Sequence, residues 1–309
     1  MEANLILKEI ANNFHSNKDK YAAHTKIKKL FEELCQDMSF IHNVIKNCIS
    51  DPNFFKNSNN LYFYLLVEGD LIIAINLFPP ISDKTKDITH DNIHHHGWRL
   101  LTTGVISGKG YETINFVKGS HQNIEKNIVK LKIEDDFRHT IGGTKFLDAD
   151  QAHVVFHPES TTATLALWSA NKNLMNQKIK LTLKNYPKLG KFTSNIVHII
   201  GLNKLLGLNA KNNVQFVPKN GKIIVNPNPA KEVDGPINEI TTCMFKFFQQ
   251  IKLNDSYFFT RLKNTIPIET HILCDKLISD EPISDIGIRG DIKRRFSKKE
   301  ILEAVKNLD

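Results

Sequence analysis

The sequence predicts a mainly β protein: an antiparallel β-sandwich or barrel flanked by N-terminal helices and a mixed, largely helical C-terminal extension. Two observations point there. Between residues 61 and 170, short apolar or alternating runs are separated by Gly and polar turns, while the first fifty residues carry apolar side chains at helical spacing. A third observation concerns chemistry: eight of the 13 histidines lie between His90 and His157.

In the N-terminal stretch, Ile27, Leu30, Phe31 and Leu34 share one helical face, as do Phe40, Ile41, Val44, Ile45 and Cys48. Asp51-Pro52-Asn53 breaks the pattern. Leu61–Val67 and Leu71–Phe78 then read as strands joined by a short hairpin turn at Glu68-Gly69-Asp70. Further strands are expected over His94–Ser107, Tyr111–Val117, Ile128–Ile133, Lys145–Leu147, Ala152–Phe156 and Thr161–Ser169, with Lys178–Leu183 as one more. Beyond residue 185 the strand candidates are Ile196–Ile200, Val214–Val217 and Lys222–Val225. Ile237–Ile251 has helical spacing, and a last helix begins after Phe296 with Ser297 and Glu300 in a capping-box pattern. The expected organisation is a helical N-terminal extension over 1–58, a barrel over 59–185 and a mixed α/β extension over 186–309.

Composition narrows the functional classes. A hydrophobic content of 41% and a charged content of 24% are those of a globular protein. No run reaches the roughly 20 apolar residues of a membrane span, and the first residues lack the pattern of a signal peptide, so a soluble, cytoplasmic protein with no membrane partner is the expectation. Cys35, Cys48, Cys243 and Cys274 have no CxxC spacing and read as reduced, mostly buried thiols. The net charge of +8 comes mainly from dispersed lysine, and the one dense basic cluster, Lys293-Arg294-Arg295 with Lys298-Lys299, reads as a solvated helix end rather than a nucleic-acid contact. A homo-oligomer is compatible with the sequence.

The chemistry centres on Ile93-His94-His95-His96-Gly97-Trp98 and Ala152-His153-Val154-Val155-Phe156-His157. On a strand over 93–107, alternation puts His94 and His96 on one face and His95 on the other. With His153 from a distant strand they form a candidate three-histidine metal site. Imidazole is a ligand for Zn, Fe, Cu and Ni, and a set without carboxylate leaves coordination positions open, which is a catalytic pattern. His157 is a candidate fourth ligand, a hydrogen-bonding partner of a ligand or a plain strand-end residue. His90 and His139 are expected at the surface. Candidate partners for the ligating imidazoles are Asp148, Asp150 and Glu112. Trp98, Tyr62 and Tyr64 are candidates for the cavity wall, with a core or rim role as the alternative, and Arg99 for binding an anionic substrate or pairing with an acid.

These segments resemble the cupin superfamily. Its first motif has an HxH pair, a Glu four or five positions on, and a Gly about a dozen residues after the pair. Here His94 and His96 are the pair and Gly108 takes the Gly position, while Leu100 or Leu101 replaces the Glu. The second motif's His corresponds to His153, and His157 occupies its Asn position. Loss of the Glu is similar to the three-histidine cupins of the thiol dioxygenase type, whose second segment resembles Ala152–Val155 leading to Leu165-Ala166-Leu167-Trp168-Ser169. The resemblance covers roughly residues 60–170. It implies a cupin-type β-barrel (a double-stranded β-helix), Fe(II) on His94, His96 and His153, and oxygenation of a small-molecule substrate by O2, with Arg99, Tyr64 and His157 as candidate catalytic groups.

This chain departs from the cysteine dioxygenase pattern. No arginine precedes Arg99, so the early-strand arginine that clamps the substrate carboxylate is missing. The Ser-His-Tyr relay falls near Thr164, Ala166 and Trp168, and the cross-linking cysteine falls near Leu101. L-cysteine is therefore disfavoured as the substrate. Two alternatives stay open: Zn on the same ligands, suited to hydrolase or lyase chemistry, and a non-catalytic cupin that binds a small ligand or a partner protein.

Overall fold

A computed structural model describes residues 3–51, 53–56, 61–82, 87–97, 99–120, 122–125, 127–171, 214–226, 237–288 and 295–307. The expected strands at Lys178–Leu183 and Ile196–Ile200 lie outside the described residues, as does Trp98. Four helices open the chain: α1 (Ala3–Ser16), α2 (Lys20–Lys26), α3 (Lys28–Gln36) and α4 (Met38–Ile49). Asp19 caps α2 by accepting from the Tyr21 and Ala22 backbone N–H groups, and Asp37 caps α4 through Phe40 N–H.

Thirteen strands follow: β1 (Tyr62–Glu68), β2 (Leu71–Phe78), β3 (Ile93–His95), β4 (Arg99–Ser107), β5 (Tyr111–Phe116), β6 (Gln122–Glu125), β7 (Ile128–Lys130), β8 (Ile133–His139), β9 (Thr144–Leu147), β10 (His153–Val155), β11 (Thr162–Ala170), β12 (Val214–Lys219) and β13 (Lys222–Val225). The C-terminal helices are α5 (Ile237–Gln250), α6 (Ser256–Leu262), α7 (His271–Ile278) and α8 (Lys298–Lys306), the last opened by the expected Ser297–Glu300 capping box.

The strands form two antiparallel sheets, in the orders β1-β2-β11-β4-β9 and β6-β7-β13-β12-β3-β10-β5-β8. The core strands are shared between the sheets, β2, β4, β9 and β11 in one and β3, β5, β8 and β10 in the other, and they alternate along the chain except for β5 and β8, which pair with each other. That interleaving is the jelly-roll topology of the double-stranded β-helix, as the cupin resemblance implies. The C-terminal third adds to it, because β12 pairs with β3 and β13 with β7.

One expectation is corrected here. His94–Ser107 is not one strand. The chain leaves β3 after His95, turns at Gly97 with φ +60°, and re-enters the opposite sheet as β4. The left-handed conformation at Gly97 is cheap only without a Cβ. At the far end of β4, Gly108 (φ +88°) is equally constrained, since a Cβ there would lie 2.4 Å from the Thr161 carbonyl oxygen. The glycine of the motif therefore sits where the β4 turn passes against β11.

The two largest apolar clusters lie on the outer faces of the barrel. Ile73, Ile75 and Leu77 of β2 and Ala163, Leu165 and Leu167 of β11 pack with Phe31, Ile41, Ile45, Phe245 and Phe248 from α3, α4 and α5. On the other sheet, Ile93, Ile114, Phe116, Val154 and Phe156 pack with Phe216, Ile223 and with Ile301, Ala304 and Val305 of α8. Because helices cover one face and the barrel interior the other, β2 and β11 read as nearly continuous apolar runs. The inner faces are left free to carry polar side chains.

Candidate metal centre

His153 pairs with His94 on β3 and with Asn115 on β5, so its side chain projects beside both. His96 lies just past the end of β3, in the turn at Gly97. The three rings converge: centroids are 4.4 Å apart for His94–His153, and 4.9 Å for both His94–His96 and His96–His153. One nitrogen from each lies within 4.8 Å of the others. Among the described residues this is the one group of three or more His, Cys, Asp or Glu side chains so placed.

The electrostatics suit a cation. Burial first, then the neighbouring His94 imidazole, holds both His96 and His153 well below the ordinary imidazole pKa. Both rings are therefore uncharged at neutral pH and keep a lone pair. His94 Nδ1 lies 2.8 Å from the Asn92 carbonyl oxygen. A carbonyl only accepts, so Nδ1 carries the proton and Nε2 is left as a donor atom for a metal. His153 Nδ1 is buried without a hydrogen-bond partner. Three converging imidazoles, two of them held uncharged and one with its tautomer set by a carbonyl, fit a divalent transition ion.

The triad lines a cavity of about 520 Å³ inside the barrel. Register explains its wall. Tyr111, Thr113 and Asn115 alternate inward on β5, and Arg99, Leu101 and Thr103 on β4. Phe137, Trp168 and Phe78 supply apolar surface, while Tyr62 and Tyr64, stacked at 6.2 Å, stand on β1. Tyr64 is 56% exposed and forms part of the rim. Arg99 lines the cavity close enough to His96 to help disfavour its protonation.

His95 projects elsewhere, against the Phe216 ring, and its Nδ1 accepts from the Gly97 N–H at 3.0 Å. His157 does not join the triad; its Nδ1 donates to the Pro79 carbonyl at 3.0 Å and its ring packs 4.9 Å from His90. His90 and His139 are not surface residues. His139 is 3% exposed, donates from Nε2 to the Gly143 carbonyl at 3.0 Å, and accepts at Nδ1 from the Tyr111 hydroxyl at 3.2 Å. His90 lines the cavity wall.

The acids proposed as partners of the ligands serve other groups. Asp148 accepts from Tyr21 and Lys118, Glu112 pairs with Arg138 and Lys298, and Asp150 stands 3.7 Å from His95. Backbone carbonyl geometry of the kind that orients His94 leaves no mark in a sequence. Tyr111, Thr113 and Asn115 did leave one: polar residues at every second position, alternating with Ile114 and Phe116.

No family profile matches the sequence, and no curated protein matches it. Solved structures that match include a cupin protein from Bacteroides fragilis, at 17% identity over 37% of this chain and 79% of that one, with a TM-score of 0.25. KdgF from a Halomonas species matches at 13% identity over 35% of this chain and 76% of that one, with a TM-score of 0.25. A DMSP lyase, DddQ from Ruegeria pomeroyi, matches at 13% identity over 35% of this chain, with a TM-score of 0.24. The chain spans 46% of the length of the DMSP lyases it matches. The fold itself is defined by the strand order of the two sheets.

Proposed function

We propose that this chain is a metal-dependent enzyme in which His94, His96 and His153 hold iron(II), and that it oxygenates a small anionic molecule in the barrel cavity with O2 as co-substrate. The observation that carries this reading is the convergence of three imidazoles, with ligand atoms within 4.8 Å of one another, in the wall of a cavity of about 520 Å³. Bound there, the iron supplies redox chemistry with dioxygen.

The chain's own residues do the rest. Three histidine ligands bring no negative charge, and Arg99 adds a positive one near His96. An anionic group on the substrate is favoured beside these charges, and Arg99 orients it by charge-assisted hydrogen bonds. Phe78, Phe137 and Trp168 line the space apart from the ligands and exclude water from it. Tyr64 at the rim contacts whatever enters.

Zinc is the second reading, because three histidines are also a ligand set of catalytic zinc, suited to hydrolase or lyase chemistry. The test is metal analysis of the untagged chain beside His94→Ala, His96→Ala and His153→Ala. Near-stoichiometric iron, lost in all three variants, supports the oxygenase. Zinc lost in the same way supports the second reading, and absence of any metal after reconstitution overturns both.

A further inference from the structure

A second pair of imidazoles lies close together in the same barrel. The segment before β3 pairs with the end of β10: His90 N–H donates to the Val155 carbonyl and His157 N–H to the Ile88 carbonyl, each at 2.8 Å, around an antiparallel bridge between Thr89 and Phe156. In that register His90 and His157 are diagonal neighbours on one face, within side-chain reach. Their ring centroids are 4.9 Å apart, the spacing seen for two of the three pairs in the triad.

Both residues are half-buried, and Nε2 of each is closed off from solvent. His157 uses the device seen at His94: its Nδ1 donates to a backbone carbonyl, that of Pro79, so Nε2 keeps its lone pair. Yet Nε2 of His157 and Nε2 of His90 are both buried without a hydrogen-bond partner. A buried polar atom left unsatisfied is costly, and two side by side mark a place built for something that satisfies both.

We infer that His90 and His157 form a second metal site, separate from the triad, for a late transition ion. Among the described residues no third His, Cys, Asp or Glu joins them, so the chain supplies two nitrogen ligands. Arg295, which donates to the Thr89 carbonyl at 3.2 Å, is near enough to disfavour positive charge on both rings. That repulsion is twice as large for a dication as for a monocation. Copper is an imidazole-binding metal, and in its monovalent state it accepts two nitrogen donors. Cu(I) is therefore the ion the site favours. The inference stands whether or not the triad holds iron.

The test uses the full chain carrying His94→Ala and His153→Ala, which removes the triad. It is titrated anaerobically with Cu(I) against a chromogenic Cu(I) chelator, with Zn(II) titrated in parallel. One equivalent of Cu(I) is expected, and adding His90→Gln or His157→Gln should weaken it at least about 100-fold. No retained Cu(I), or retention that neither substitution changes, overturns the site. Zn(II) bound more tightly than Cu(I) at the same two residues overturns the choice of ion. Should the variants fail to fold, imidazole 15N spectra of the unsubstituted chain read the same pair. Cu(I) must then shift Nε2 of both His90 and His157, and a direct imidazole–imidazole hydrogen bond that persists unchanged overturns the proposal.

Discussion

His94 and His153 stand directly opposite each other across β3 and β10, with ring centroids 4.4 Å apart. Backbone pairing therefore sets this half of the candidate metal centre, and His96 completes the triad from the turn. Replacing His153 by Ala should lower metal affinity by at least about 100-fold while leaving the strands paired. Competition with a chelator measures the first effect, and circular dichroism the second. Retained affinity would place the metal elsewhere.

Gly108 holds β4 against the start of β11. Gly108→Ala forces a left-handed residue to carry a Cβ, and that Cβ meets the Thr161 carbonyl oxygen at 2.4 Å. Left-handed strain and overpacking together should cost about 2–5 kcal/mol, read as a lower urea midpoint at unchanged m-value. Gly97→Ala should cost less, about 1–2 kcal/mol, but also weaken metal binding, because His96 is the residue before it.

Under the proposed function, Arg99 tests substrate binding apart from metal binding. It lines the cavity without belonging to the ligand group. Arg99→Gln should leave metal content unchanged and raise KM for an anionic substrate about 10–100-fold, the worth of a charge-assisted hydrogen bond. An unchanged KM would remove Arg99 from the substrate site.

His24 makes stability sensitive to acid. It bridges α2 to the barrel, with Nδ1 2.7 Å from the Thr102 hydroxyl and Nε2 2.9 Å from the Ser169 hydroxyl. Burial, then Lys20, lowers its pKa from 6.5 to about 3. The unfolded chain therefore takes up a proton near pH 6.5 that the folded chain refuses until near pH 3. Its contribution is present in full above pH 6.5 and is lost as pH falls between those limits, about 4–5 kcal/mol over the range. Denaturant midpoints measured from pH 7 to 4 should fall, and His24→Gln should flatten that slope.

Most strands between 61 and 170 were legible because alternation and Gly turns are local signals. The pair Tyr62–Glu68 and Leu71–Phe78 was legible for that reason, as were the C-terminal hairpin and the Ser297 cap. The break at Gly97 was not. Nothing in Ile93–Ser107 except one glycine distinguishes a long strand from two strands in different sheets. The surface expectation for His139 failed for a related reason: it rests on a polar residue type, whereas Tyr111 and the Gly143 carbonyl satisfy both its ring nitrogens inside the fold.

By itself the sequence determined the strand and helix periodicities, the His94-x-His96 spacing and the presence of a third histidine on a separate strand. The periodicities and the His94-x-His96 spacing are short-range facts, carried by residues no more than about four positions apart. Only the tertiary structure decided that His153 lies opposite His94, that His157 turns to His90, and that Asn92 rather than an acid orients a ligand. Register between distant strands depends on which faces become buried. Here helices from both ends of the chain bury the outer faces, and that leaves the histidines inside.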